Sequence, residues 1–275
     1  MDEPYILINW WDMEQYSADV FFSIGIFLTY AKEVSMVNAR IDPKGFVNAE
    51  SRRNIIAEIS KIPGHCDTVS LNLSKLACNR AIHEFDTNDK ITHQECNQIL
   101  VELRTRIKDE MSHTLFMYIP NDRAEWFNKE RLFGESVGNS FPSASFDIKE
   151  AGSCFACARF TASVFHLMRA LEPGLGGLGK VFGVSFERTN WQPVIEQIEA
   201  KIRSMGSDPS KAADWKEQHE YYSQAASSFM FFKDAWRNYT AHARGKYTQE
   251  EALTIMVNVK AFMQKLAARL SETTV

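Results

Sequence analysis

The stretch Trp236-Arg237-Asn238-Tyr239-Thr240-Ala241-His242, closed by Gly245, ends what the residue pattern predicts as one long helix from Trp215 to Ala243. Gly245 is the expected terminator, because glycine adopts the left-handed backbone that closes a helix at no steric cost. Within these positions lie a permanent cation, an amide and an imidazole. Arginine presents a planar fork of donors that matches phosphate, and histidine exchanges a proton near neutral pH. The combination points to phosphodiester chemistry.

Working outward, the flanking segments are also helical in pattern. Thr248-Gln249-Glu250-Glu251 fits a capping box, and Leu253, Met256, Val257, Val259, Ala261, Phe262, Leu266 and Leu270 then predict the buried side of a last helix. Trp191 to Met205 is expected to be a helix with Pro193 in its first turn, where a missing amide hydrogen is harmless. Met205-Gly206-Ser207-Asp208-Pro209 is expected to turn the chain. Glu150 to Leu171 carries Phe155, Ala158, Ala162, Phe165, Leu167, Met168 and Leu171, which predicts one long helix with small residues for close approach. Pro173-Gly174 and the glycines at 176, 177 and 179 are expected to end it or to loosen the next segment. The C-terminal half therefore reads as a bundle of about four long helices.

The spacing Arg237-Asn238-x-x-x-His242 resembles the signature of HEPN domains, all-helical modules many of which are metal-independent ribonucleases. Cys157 to Glu172 is similar to the first helix of one branch of that family. The resemblance covers roughly the last half of the chain. It implies catalysis by Arg237, Asn238 and His242, with Tyr239, Arg244 and Lys246 contacting substrate, and products ending in a 2',3'-cyclic phosphate and a 5'-hydroxyl. It also implies a homodimer. Residues five apart on a helix lie about 140° apart around its axis, so Arg237 and His242 do not share a face. HEPN domains bring two motifs together across a twofold axis. The minimal HEPN toxins carry a regulatory tyrosine two residues after the motif histidine. Here that position is Arg244, which puts that mode of control in doubt.

The chemistry sets its own requirements. Cleaving RNA without a metal takes a base for the 2'-hydroxyl proton, an acid for the leaving oxygen and a cation for the charge developing on phosphorus. His242 sits near a helix C-terminus, whose carbonyls favour its protonated form, while Arg237 and Arg244 oppose it. No cofactor and no metal are expected. Cys154 and Cys157 form a Cys-x-x-Cys pair with no second pair at zinc spacing, His65-Cys66 is isolated, and His166, Arg169 and Glu172 are expected to pack or pair within the bundle. No phosphate-cradling Gly-x-x-x-x-Gly-Lys-Ser/Thr loop, His-Glu-x-x-His or Gly-x-Ser-x-Gly is present.

The N-terminal half is helical in pattern too. Glu14 to Met36 predicts an amphipathic helix, and its apolar run from Val20 to Tyr30 is shorter than a bilayer span, so it is expected to be buried. A second helix is expected from about Asn48, with Ile55, Ile56, Ile59 and Ile62 as its stripe and Pro63-Gly64 as its stop. A third is expected over Asp67 to Phe85 with Val69, Leu73, Leu76, Ala77 and Ile82 inside. Thr92-His93-Gln94-Glu95 predicts a capping box opening a fourth. Residues 114–146 carry Gly134, Gly138, Asn139, Pro142 and several serines, the composition of a linker. The aromatics Trp126, Phe127, Phe133, Phe141 and Phe146 predict that it is packed down rather than free.

The chain of 275 residues is 45% hydrophobic and 24% charged, with a formal charge of -4, so any nucleic-acid contact must come from a local patch. Met1-Asp2-Glu3 does not begin a secretory signal, and five irregularly spaced cysteines suit free thiols, so a cytoplasmic protein without membrane contact is expected. The sequence thus predicts a mainly α protein in three parts: helical domain 1–113, irregular segment 114–146 and HEPN-like bundle 147–275. The resemblance implies an endoribonuclease acting on tRNA or mRNA, as a toxin or an antiviral effector in abortive infection, with an antitoxin or defence-system protein as partner. A catalytically inactive scaffold binding nucleotide or protein partners is the alternative.

Overall fold

A computed structural model describes residues 18–186, 190–206, 213–238 and 246–272. Over these the fold is mainly α, and the only β-type pairing among the described residues is an isolated bridge between Phe46 and Thr92. The chain forms two compact units, residues 1–116 and 117–275, each with its own core.

The first unit contains α1 (Ala18–Ile41), α2 (Ala49–Ile59), α3 (Ile62–Thr68), α4 (Asn72–Thr87) and α5 (His93–Ser112). The capping box is as the sequence predicts: Glu95 N–H donates to Thr92 Oγ1 and the Glu95 carboxylate accepts from Thr92 N. Asn48 caps α2 by accepting from Ser51 N. Pro63-Gly64, expected to stop a helix, instead lies in the first turn of α3. Proline loses nothing there, since the first amides of a helix have no internal acceptor. The third helix starts at Asn72 rather than Asp67, after Ser70 takes a positive φ of 58°.

Its buried stripe is also displaced. Ser74, Cys78, Ala81 and Phe85 face the core, while Leu73 and Leu76 are exposed. The reason lies on α5, where Glu110 reaches across to the start of α4 and accepts from Leu73 N (3.0 Å), Ser74 N and Ser74 Oγ (2.5 Å each). A carboxylate from another helix thus does the work of an N-cap that Leu71 cannot do. It fixes the rotation of α4.

The helix α1 runs five residues beyond Met36 and is not buried as expected. Ile24, Leu28 and Ser35 face the core, whereas Phe22, Ile26, Tyr30, Val34, Val37 and Ile41 form an exposed apolar stripe on the other side. Counting only Val20 to Tyr30 understates it. The segment Asp19–Ile41 is long and apolar enough to cross a membrane, by length and composition only, and 17% of its most apolar window is buried. The part of the predicted helix before Ala18 lies outside the described residues.

In the second unit come α6 (Asn121–Ala124), α7 (Glu135–Ser140), a 3₁₀ turn at Pro142–Ala144, α8 (Ser145–Ala156), α9 (Phe160–Ala170), α10 (Glu172–Val181), α11 (Trp191–Met205), α12 (Trp215–Phe232) and α13 (Gln249–Ala267). Phe133, Val137 and Phe141 belong to its core, so the Gly- and Ser-rich stretch is packed down. The helix expected over Glu150 to Leu171 is two helices. Cys157-Ala158-Arg159 separates them, with Ala158 at φ 57°, and α9 folds back antiparallel on α8. Ser163 Oγ donates to Ala151 O and His166 meets Asp147, pairs whose numbers run in opposite directions.

The glycine-rich Glu172–Val181 is helical instead of loose. Its glycines are contact surfaces: a Cβ on Gly179 would lie 2.9 Å from Val184 O, and one on Gly177 would lie 3.1 Å from Ser271 O. The predicted bounds of α11 match, with Asn190 accepting from Gln192 N at its start. The second capping box, Thr248 with Glu251, opens α13 as predicted, although Val257 is exposed and Ile255 and Met263 take inner places. The turn expected from Met205 lies largely outside the described residues.

Candidate functional site

The motif helix does not continue as a regular α-helix. After Phe232 the chain widens into a π-turn over Lys233–Arg237, in which the Asn238 amide donates to the Lys233 carbonyl five residues back instead of four. Such a turn holds one residue more than the α-helical register and commonly marks a functional position. Two aromatic neighbours anchor it. The Trp236 ring packs against Phe231 and Phe232, at ring distances of 5.2 and 5.3 Å, and Phe232 stacks in turn on Phe262 of α13.

The consequence falls on Arg237. Its guanidinium carbon lies 4.9 Å from the centre of the Trp191 ring, which is fully buried at the start of α11 and meets Phe229 edge-on. A ring face attracts a guanidinium through its quadrupole, and the guanidinium N–H groups are the donors that bind phosphate oxygens. A half-buried cation therefore lies against a fully buried ring. Among the described residues, the buried Trp191 Nε1–H has no hydrogen-bond partner.

Asn238 is half-buried directly after Arg237, and Lys246 is exposed. Tyr247, beside Lys246, places its hydroxyl 3.5 Å from Trp236 O, and its amide donates to Thr161 Oγ1 of α9 at 3.1 Å. Arg237, Asn238 and Lys246 therefore share one end of the unit. Tyr239, His242 and Arg244 lie outside the described residues. Buried Lys233 pairs with its neighbour Asp234.

A second polar cluster, which sequence spacing hid, lies between α8 and α9. Asp147, Glu150 and Cys154 occupy one face of α8, and all three are buried. His166 of α9 places Nδ1 2.8 Å from Asp147 Oδ1, and Arg169 Nε approaches the same oxygen at 3.0 Å. Glu150, Cys154 and His166 each offer a donor atom, all within 4.8 Å of one another. The i, i+4 spacing of Glu150 and Cys154 was visible in the sequence. What brings His166 to them is the break at Cys157–Arg159, which the pattern did not show.

A cysteine, a histidine and an orienting aspartate invite comparison with a nucleophilic triad, but the environment is wrong for one. Burial, then the charge of Glu150, then Cys157 push the Cys154 thiol up to about 11. A catalytic thiolate needs the opposite shift. The described cysteines are all free, and Cys66 and Cys78 adjoin in the first unit.

The fold and this geometry define a mainly α protein of two units, with an aromatic-held arginine at the end of a long helix in the second. Compared with known proteins, the chain matches no family model, no curated protein and no solved structure.

Proposed function

We propose that the second unit is an endoribonuclease of HEPN type, cutting RNA without a metal at a site composed from two copies of Arg237, Asn238 and His242. The observation that carries this reading is the π-turn that seats Arg237 on Trp191 at the first residue of the motif. It supports the reading because transition-state charge is best met by a cation whose orientation is fixed in advance. Arg237 holds the phosphate, Asn238 supplies an amide to a phosphate oxygen or the imidazole, and His242 moves the proton. Lys246, with Arg244 and Tyr239, extends the substrate contact. One chain supplies one imidazole, whereas the reaction has two proton transfers, so a twofold pair of motifs completes the site. A toxin or antiviral role fits such an activity, with an antitoxin or defence protein holding it in check.

The test is cleavage of total cellular RNA and tRNA by the purified full chain in EDTA, with Arg237→Ala and His242→Ala compared at matched fold and oligomeric state. Cyclic phosphate ends from the wild type alone support the composite site. Equal behaviour of all three proteins rejects it.

A further inference from the structure

We infer that α8 and α9 carry a metal site, in which Glu150, Cys154 and His166 bind one zinc-class divalent ion and Asp147 holds the histidine from behind. The donor set is the first reason. A carboxylate, a thiol and an imidazole are the three side-chain types that zinc takes, and sulfur with nitrogen disfavours magnesium or calcium, which select oxygen.

Geometry is the second reason. Donors at the corners of a triangle with sides of at most 4.8 Å would stand no more than about 2.8 Å from an ion at its centre. Zinc ligands sit at about 2.0–2.3 Å, so each donor moves inward by roughly 0.5–0.8 Å, a side-chain adjustment.

The surroundings supply the third. Glu150 is 8% exposed, so its carboxylate stands largely buried beside Cys154 and His166. A cation there would offset the cost of burying that charge. With Nδ1–H given to Asp147, Nε2 would be the nitrogen whose lone pair a metal takes. This carboxylate-to-histidine pairing is the usual outer support of a ligating imidazole. Arg169 on the same Asp147 oxygen keeps that carboxylate from turning toward the ion.

Binding would expel the Cys154 proton to solvent and needs no oxidant or reductant. Three protein ligands leave one coordination position for water, and the partial exposure of His166 is the route to it. The ion would cross-link α8 to α9.

The metal site is independent of RNA cleavage, and its test reads only metal. The full chain is stripped with a chelator and titrated with Co²⁺, then with Zn²⁺, while circular dichroism checks the fold. One Co²⁺ per chain is expected, with a thiolate-to-metal charge-transfer band that Zn²⁺ bleaches. Cys154→Ser should remove the band, Cys157→Ser should keep it, and Asp147→Asn should keep it while weakening binding about 10–100-fold. A folded wild-type chain that gives no band in excess Co²⁺ overturns the proposal, whatever the variants do. So does a band that survives Cys154→Ser or disappears with Cys157→Ser.

Discussion

Gly152→Ala separates what helix propensity predicts from what the packing of α8 imposes. Gly152 sits in the middle of that helix, between Glu150 and Cys154, where alanine would be favoured over glycine by about 1 kcal/mol on propensity alone. A Cβ at this position, however, would lie 2.6 Å from the Trp126 carbonyl oxygen and 2.8 Å from Leu132 Cδ2. The first of these is backbone and cannot rotate away. It belongs to a segment already tied to α8 by the Asn128 amide, which donates to buried Ser153 Oγ. Forcing a methyl into such a contact costs about 1–3 kcal/mol, which cancels or exceeds the propensity gain. A net loss of up to about 2 kcal/mol is expected, a fall of up to roughly 1 M in urea midpoint at a slope near 2 kcal/mol/M.

The assay is urea unfolding followed by tryptophan fluorescence, since four of the six tryptophans, Trp126, Trp191, Trp215 and Trp236, belong to the second unit, with Trp10 and Trp11 replaced by phenylalanine in both proteins. Gly25→Ala is the internal comparison. Gly25 lies inside α1 with nothing within 4 Å of its Cβ position, so the same substitution should stabilise the first unit by up to about 1 kcal/mol, read by far-ultraviolet circular dichroism. If Gly152→Ala raises stability as Gly25→Ala does, α8 is not packed against residues 126–132 and the arrangement of the second unit is wrong.

Further outcomes can be measured alongside. Glu110→Ala should destabilise the first unit by about 1–2 kcal/mol, because it removes the acceptor that caps α4. Burial works against ionisation of Glu110, but Ser74 Oγ and the amides of Leu73 and Ser74 outweigh it and lower its pKa on folding. That contribution is therefore complete above the ordinary carboxylate range and lost as pH falls through the folded value, so the gap between wild type and variant should close on acidification. On the proposed nuclease reading, Arg237→Lys keeps a charge but loses the planar guanidinium beside Trp191, and RNA cleavage should drop about 10–100-fold, less than the 10²-fold or more expected of Arg237→Ala. Thr248→Ala should cost about 1 kcal/mol in a urea titration, since it breaks the capping box of α13.

Where the sequence was informative, local chemistry set the outcome. Thr92 with Glu95, Thr248 with Glu251, and Trp191 to Met205 each carry start signals read within four residues, and the structure places those helices there. Errors came where a distant residue decides. The buried face of α4 is set by Glu110, 36 positions from Ser74, and no periodicity in residues 67–85 records it. The break between α8 and α9 rests on Ala158 in a backbone conformation alanine seldom takes, so composition argued for one helix. The glycines of α10 looked like breakers because their use is contact with Val184 and Ser271.

At the candidate site, the residue types were legible but their setting was not. Nothing in the spacing of Arg237 announces that Trp191, 46 positions earlier, forms its seat. The Glu150, Cys154 and His166 group was invisible for a similar reason, since it exists only because the chain reverses at residues 157–159.

The π-turn at Lys233–Arg237 also acts as a spacer. It takes up one residue more than an α-helix holds over about the same rotation, so excising one, such as Ala235, would let Asn238 bond to Lys233 in ordinary α register and leave it facing nearly as it does now. One residue inserted into the regular turns of α12 ahead of it meets no such slack: each residue advances an α-helix by about 100°, and Arg237 would swing off Trp191.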